Sequence, residues 1–190
     1  DTITIPVTVA GSDTVGTLDT LWLVARSASD TTLVDSAFVV VEVGESTMSV
    51  NVGLDVGWNM VSVPVNAEDL SKVTLFPTAI SKAFAYSGGY YTVDTLLLGQ
   101  GYWMKFDSAE TVPIEGYGLD EDTASVVTGW NMIGSISYPA PVANITEIPS
   151  SIVLSNYYGY NGAYFSADTL KPGQAYWVKV SSAGKLVLAK

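Results

Sequence analysis

The sequence predicts an all-β chain, with a strand segment over residues 1–46, two homologous β-sandwich-like repeat units over 47–118 and 119–190, and little helix. Three observations carry this reading. Short runs of β-branched and aromatic residues alternate with polar ones, the period of a half-buried strand. Turn residues break those runs at close intervals. Long stretches of the second half of the chain rewrite the first, the mark of a duplicated supersecondary unit.

Residues 1–46 read as three strands. In Thr2–Val9, Thr alternates with Ile or Val, and Pro6 removes one ladder donor, which suits an edge position. Gly11, Ser12, Asp13 and Gly16 mark a turn. The runs Leu21–Arg26 and Ala37–Val43 supply the second and third strands, separated by the polar loop Ser27–Ser36. Three strands make a poor independent core. An unpaired edge at residues 2–9 would be free to share a strand with another molecule.

The repeat then sets the pattern. Gly57-Trp58-Asn59-Met60 returns 72 residues later as Gly129-Trp130-Asn131-Met132, and Pro77 and Ile80 keep that offset at Pro149 and Ile152. An insertion of two residues moves the offset to 74, which holds from Gly88 and Gly162 to the end of each copy. It pairs Gly99-Gln100-Gly101-Tyr102-Trp103-Met104-Lys105 with Gly173-Gln174-Ala175-Tyr176-Trp177-Val178-Lys179.

Each copy reads as β throughout. Trp58–Val65 alternates as one strand, with Met60, Ser62 and Pro64 on one face and Val61, Val63 and Val65 on the other. The connection Asn66–Pro77 has room for a short helix at 67–73, and its counterpart near 139–148 for a shorter one. A hairpin follows, Ala83–Tyr86 turning at Ser87-Gly88-Gly89 into Tyr90–Val93. Its twin turns at Asn161-Gly162, which predicts a type I′ turn with positive φ at both central residues. Asp94-Thr95 and Asp168-Thr169 turn the chain again, with the carboxylates as expected caps, before the Gln-x-Tyr-Trp strand and a closing strand.

The order Gly-Trp-Asn-Met, Gly-Gly-Tyr hairpin, Gly-Gln-Gly-Tyr-Trp-Met-Lys resembles repeats of secreted and cell-surface bacterial proteins. Residues 1–46 resemble the C-terminal half of an immunoglobulin-like domain of large bacterial surface proteins. The resemblance implies an extracellular accessory module and carries no catalytic or ligand residues to transfer. The substitutions of Ala175 for Gly101, and of Gly134-Ser135-Ile136 for Ser62-Val63-Pro64, touch no group with an evident functional role.

Composition narrows the chemistry. Apolar residues make up 48% of the chain and charged residues 14%, enough to build a core and too apolar for disorder. No apolar run approaches the ~18 residues a spanning helix needs, so a soluble chain without membrane insertion is expected. It opens at Asp1 with no initiator Met and no visible leader, which reads as a processed chain or a piece of a longer one. The net charge of −11, with 8 basic residues thinly spread, argues against a nucleic-acid partner. The absence of Cys removes disulfides and suits a secreted bacterial protein. The absence of His removes the commonest general base and transition-metal ligand.

With no base for a Ser nucleophile and no carboxylate pair in an evident cleft, no catalytic residue, metal site or cofactor is expected. Asp120-Glu121-Asp122 reads as a solvated linker rather than a Ca²⁺ loop, since its spacing fits no loop with a mechanism. Trp58, Trp103, Trp130 and Trp177 are expected to fill the core of their own copies. Sugar stacking by these indoles would require exposed, coplanar faces. The hairpin tyrosines are the candidate ligand-binding residues: Tyr86, Tyr90 and Tyr91 in the first copy, Tyr158, Tyr160 and Tyr164 in the second. Cross-strand pairing inside each hairpin is one explanation for them, and an exposed glycan or protein contact is the other.

These readings lead to an extracellular structural or adhesive building block of a bacterial cell surface or filament, with a carbohydrate-binding module as the alternative. The expected partners are other copies of the chain, neighbouring surface proteins or polysaccharide.

Overall fold

The computed structural model describes residues 18–26, 29–32, 34–42 and 46–190. The chain falls into two compact units, Asp1–Ser46 and Thr47–Lys190. In the first, β1 (Leu18–Arg26) pairs antiparallel with β2 (Val34–Glu42), from Leu18 opposite Glu42 to Arg26 opposite Val34. Both strands begin three residues earlier than their apolar runs, because ladder pairing carries Leu18, Asp19 and Thr20, and Val34, Asp35 and Ser36, into the sheet. Trp22 and Phe38 face each other across the ladder with ring centroids 5.2 Å apart. The strand expected at Thr2–Val9 and the turn after it lie outside the described residues.

The second unit holds both copies of the repeat. The first copy runs β3 (Thr47–Leu54), β4 (Gly57–Ser62), β5 (Val65–Asn66), α1 (Lys72–Leu75), β6 (Ala83–Tyr86), β7 (Tyr90–Val93), β8 (Gly101–Phe106) and β9 (Glu110–Gly118). Its strands form a three-stranded sheet, β3-β9-β5, and a four-stranded sheet, β4-β8-β6-β7, both antiparallel. The second copy runs β10 (Glu121–Val126), β11 (Gly129–Ile133), β12 (Ala140–Pro141), a 3₁₀ turn (Val142–Asn144), β13 (Thr146–Ile148), β14 (Tyr157–Tyr160), β15 (Tyr164–Ala167), β16 (Thr169–Leu170), β17 (Tyr176–Val180) and β18 (Gly184–Ala189). It repeats the plan as β10-β18-β13 and β11-β17-β14-β15, with β12 and β16 as a separate short pair. The fold is all-β and sandwich-like, with one core between the sheets of each copy.

Strand alternation builds those cores. Along β8, Tyr102, Met104 and Phe106 point inward, where they meet Val52 and Ile114 of the other sheet. Along β17, Tyr176, Val178 and Val180 do the same against Leu186 and Leu188.

The recurring motifs have local causes. Gly57 and Gly129 take φ of 95° and 101°, where a side chain would be strained. The amide of Asn59 closes the same turn: Asp55 N–H donates to its Oδ1 (2.9 Å), while its Nδ2 donates to the carbonyls of Asp55 (2.7 Å) and Gly57 (3.1 Å). Asn131 repeats all three bonds on Val127 and Gly129. In the second motif the Tyr102 hydroxyl accepts from Leu97 N–H (2.6 Å) and donates to Gln100 Oε1 (3.1 Å). Tyr176 does likewise with Lys171 N–H and Gln174.

Several expectations are corrected. The strand predicted over Trp58–Val65 is two strands in different sheets, β4 and β5. Both faces of that stretch are buried: Val61, Val63 and Val65 in their own core, Met60 and Ser62 against the other copy. The helix sits at Lys72–Leu75, not 67–73, because Ser71 caps it, its hydroxyl accepting from Thr74 N–H. Each hairpin closes with a three-residue loop, Tyr86 opposite Tyr90 and Tyr160 opposite Tyr164. In the second loop only Gly162 has positive φ (93°), so the turn is not type I′. The recurring acceptors at Asp94 and Asp168 are backbone carbonyls, bonded by Lys72 N–H and Val142 N–H, both at 2.8 Å. Asp120-Glu121-Asp122 is the entry to β10 rather than a free linker, with Asp120 ion-paired to Lys190 at 2.6 Å.

Candidate functional site

The two copies join through reciprocal contacts. Ser62 N–H donates to Gly173 O and Gly134 N–H to Gly99 O, both at 2.9 Å. Bridges pair Val61 with Gln174 and Ile133 with Gln100. Each contact recurs with the copies exchanged, the pattern of a twofold interface. Met60, Met132, Ala175 and Trp177 pack at its centre. The buried Ser62 hydroxyl donates to Gln174 O (2.9 Å) and lies 2.9 Å from Ser135 Oγ, and Ser137 Oγ donates to Pro64 O at 2.6 Å.

This joint orders the aromatic side chains. The core positions of β8 and β17 are taken by Tyr102 and Tyr176, so alternation turns Trp103 and Trp177 onto the opposite face. There Tyr86 of the first copy stands over Trp177 of the second, and Tyr160 of the second over Trp103 of the first, each with ring centroids 4.8 Å apart. The expectation that the four Trp fill the cores of their own copies is therefore wrong. Trp58 and Trp130 are 44% and 41% exposed, Trp103 is half-buried, and Trp177 is buried against the other copy.

Two clefts open along this face. One, of about 560 Å³, is lined by Tyr86, Tyr90, Trp130, Tyr158, Tyr164 and Trp177. The other, of about 610 Å³, is lined by Trp58, Phe84, Tyr90, Trp103, Tyr160 and Tyr164. Exchanging the copies turns one lining into the other, with Phe84 standing where the second copy has Tyr158. Tyr90 and Tyr164 line both, so the clefts are halves of one groove across the joint. Among the described residues, no charged side chain lines either half.

The rings stand at steep angles. Around Trp177, Tyr86, Tyr90 and Trp130 lie 4.8, 6.4 and 6.4 Å away with interplanar angles of 81°, 79° and 89°. Around Trp103, Tyr160, Tyr164 and Trp58 lie 4.8, 6.5 and 6.4 Å away at 75°, 84° and 85°. Such edge-to-face contacts follow the ring quadrupole, each aromatic edge meeting a π face. A flat platform of coplanar rings is not what they form.

Of the six candidate tyrosines, the structure brings five into the groove. Tyr90 and Tyr164 are exposed, whereas Tyr86, Tyr158 and Tyr160 are half-buried in it. Tyr91 points away from its neighbour Tyr90 and accepts a bond from Gln100 Nε2 at 3.3 Å. Partial desolvation among the groove rings, with Tyr164 close by, pushes the Tyr90 phenol above its ordinary value although much of the ring is exposed. The groove residues that sequence reasoning missed are Phe84 and the four Trp. A signal for Trp103 was present: it shares a strand face with the exposed Lys105, opposite Tyr102, Met104 and Phe106.

Among the described residues, no group of three or more Asp and Glu is placed to hold a metal ion. No helix among them is long and apolar enough to cross a membrane. No protein-family model, curated protein or solved structure matches the chain.

Proposed function

We propose that the chain is a non-catalytic extracellular binding module, an adhesive or structural building block of a bacterial cell surface or filament, which holds its partner on the aromatic groove. The observation that supports this is the groove itself. Large aromatic side chains left in solvent on one continuous face tend to mark interaction sites, because they forfeit burial the fold could have used. Rigid Tyr and Trp also contribute contact area at little entropic cost. The resemblance of the repeats to those of secreted surface proteins supports the extracellular setting.

A carbohydrate chain is the alternative occupant, with single sugar rings stacking on the half-exposed faces of Trp58 and Trp130. The test is binding of the full chain to a panel of plant, algal and bacterial polysaccharides and extracellular matrix proteins. It is compared with a variant carrying Trp58→Ala, Trp130→Ala, Tyr90→Ala and Tyr164→Ala. The groove reading expects a bound partner that the variant releases. Binding undiminished in a folded variant, or no partner at all, sinks it.

A further inference from the structure

We propose that the groove is a pair of aromatic cages for a quaternary ammonium group, one on each side of the joint between the copies. The proposal rests on the reading of the groove as a binding surface and names the ligand chemistry. In each half six aromatic rings line the cleft, and three of them pack around one indole that is itself covered, at 79° to 89° around Trp177 and 75° to 85° around Trp103. The rings left exposed, Trp130 and Tyr90 in one half and Trp58 and Tyr164 in the other, stand steeply to that indole and so border the cleft from more than one direction. Their π faces carry the negative part of the aromatic quadrupole and attract a cation placed among them.

Charge complementarity points the same way. The chain carries a net charge of −11, and among the described residues no side-chain cation lines the groove. Lys105 and Lys179 lie opposite Trp58 and Trp130 in their ladders but line neither cleft and stack on none of its rings.

The polar inventory selects the kind of cation. The lining offers phenol hydroxyls and indole N–H groups and no carboxylate. A protonated amine entering such a site would have only phenol oxygens, and no carboxylate, to accept its three N–H donors, so desolvating it is costly. A tetraalkylammonium has no N–H to satisfy, so its methyl groups can meet the rings directly. Sugars, with several hydroxyls each, fit this apolar lining less well.

The experiment titrates the full chain with choline, with tetramethylammonium and with 3,3-dimethylbutan-1-ol, the uncharged isostere of choline, following Trp fluorescence and indole N–H resonances. The proposal expects saturation by choline at two sites per chain, and roughly tenfold or weaker binding of the isostere from loss of the cation–π attraction. Trp58→Ala should remove one site and Trp130→Ala the other, while Tyr164→Ala, an exposed position shared by both clefts, weakens both. Phosphorylcholine and Nε-trimethyllysine as further probes distinguish a headgroup from a methylated side chain as the source. If the isostere binds as tightly as choline, the cation is wrong and the groove stands. If no ammonium probe binds while the four-residue variant still loses a partner in the panel, the outcome is the same. If no probe binds and the panel is blank, both readings fail.

Discussion

Gly101 and Ala175 hold equivalent places in the two copies, and they meet: a Cβ built on Gly101 would lie 2.5 Å from the Ala175 methyl. At the joint there is room for one methyl group, and the departure of one copy from the other supplies one. Gly101→Ala should destabilise the second unit by about 1–3 kcal/mol, the usual cost of overpacking. Adding Ala175→Gly should restore only part of that, because the new Cβ also lies 2.8 Å from the Ile133 carbonyl oxygen. Urea midpoints of the single and double variants measure both effects, and equal midpoints for wild type and Gly101→Ala would refute the account.

Asn59 and Asn131 each make three hydrogen bonds that close the turn into the first strand of a four-stranded sheet. Asn59→Ala and Asn131→Ala are each expected to cost about 1–3 kcal/mol, through backbone groups left without partners. Asn→Asp should not rescue them, since a carboxylate replaces the Oδ1 acceptor but cannot donate as Nδ2 does. Thermal melts of the four variants check this.

Stability should fall at alkaline pH. Burial raises the phenols of Tyr102 and Tyr157 from 10.0 to about 12, with Glu147 adding to the shift at Tyr157. The unfolded chain releases these protons first, so the stabilisation is intact below pH 10 and is lost as the pH climbs through 12. Urea midpoints from pH 8 to 12 should drop over that window, and Tyr102→Phe should make the drop shallower.

Trp58 and Tyr102 separate groove from core. Tyr102 is fully buried, and Tyr102→Ala should cost about 3–5 kcal/mol. Trp58 is 44% exposed and meets Phe84 and Trp103 edge-to-face, so Trp58→Ala should cost less, about 0.5–1.5 kcal/mol per aromatic pair lost beyond the part of its area that is buried. Comparable destabilisation by the two would mean that Trp58 belongs to the fold rather than to a surface.

The sequence by itself determined the β class, the duplication and the positions of the hairpins. These follow from period-2 alternation, turn residues and matching offsets, all local signals. It also limited the alternation of β8 to two choices, Tyr102, Met104 and Phe106 on one face, Trp103 and Lys105 on the other. Lys105 on the second face already favoured the first for the core, but that the Trp face would also be covered was decided only by tertiary structure, through the packing of one copy on the other. The second face is needed for the joint: Met60, Met132, Ala175 and Trp177 are buried by the opposite copy. The four Trp and the tyrosines converge because two copies pack through reciprocal contacts, such as Trp103 with Tyr160 and Tyr86 with Trp177, between residues far apart in the chain that no local pattern pairs.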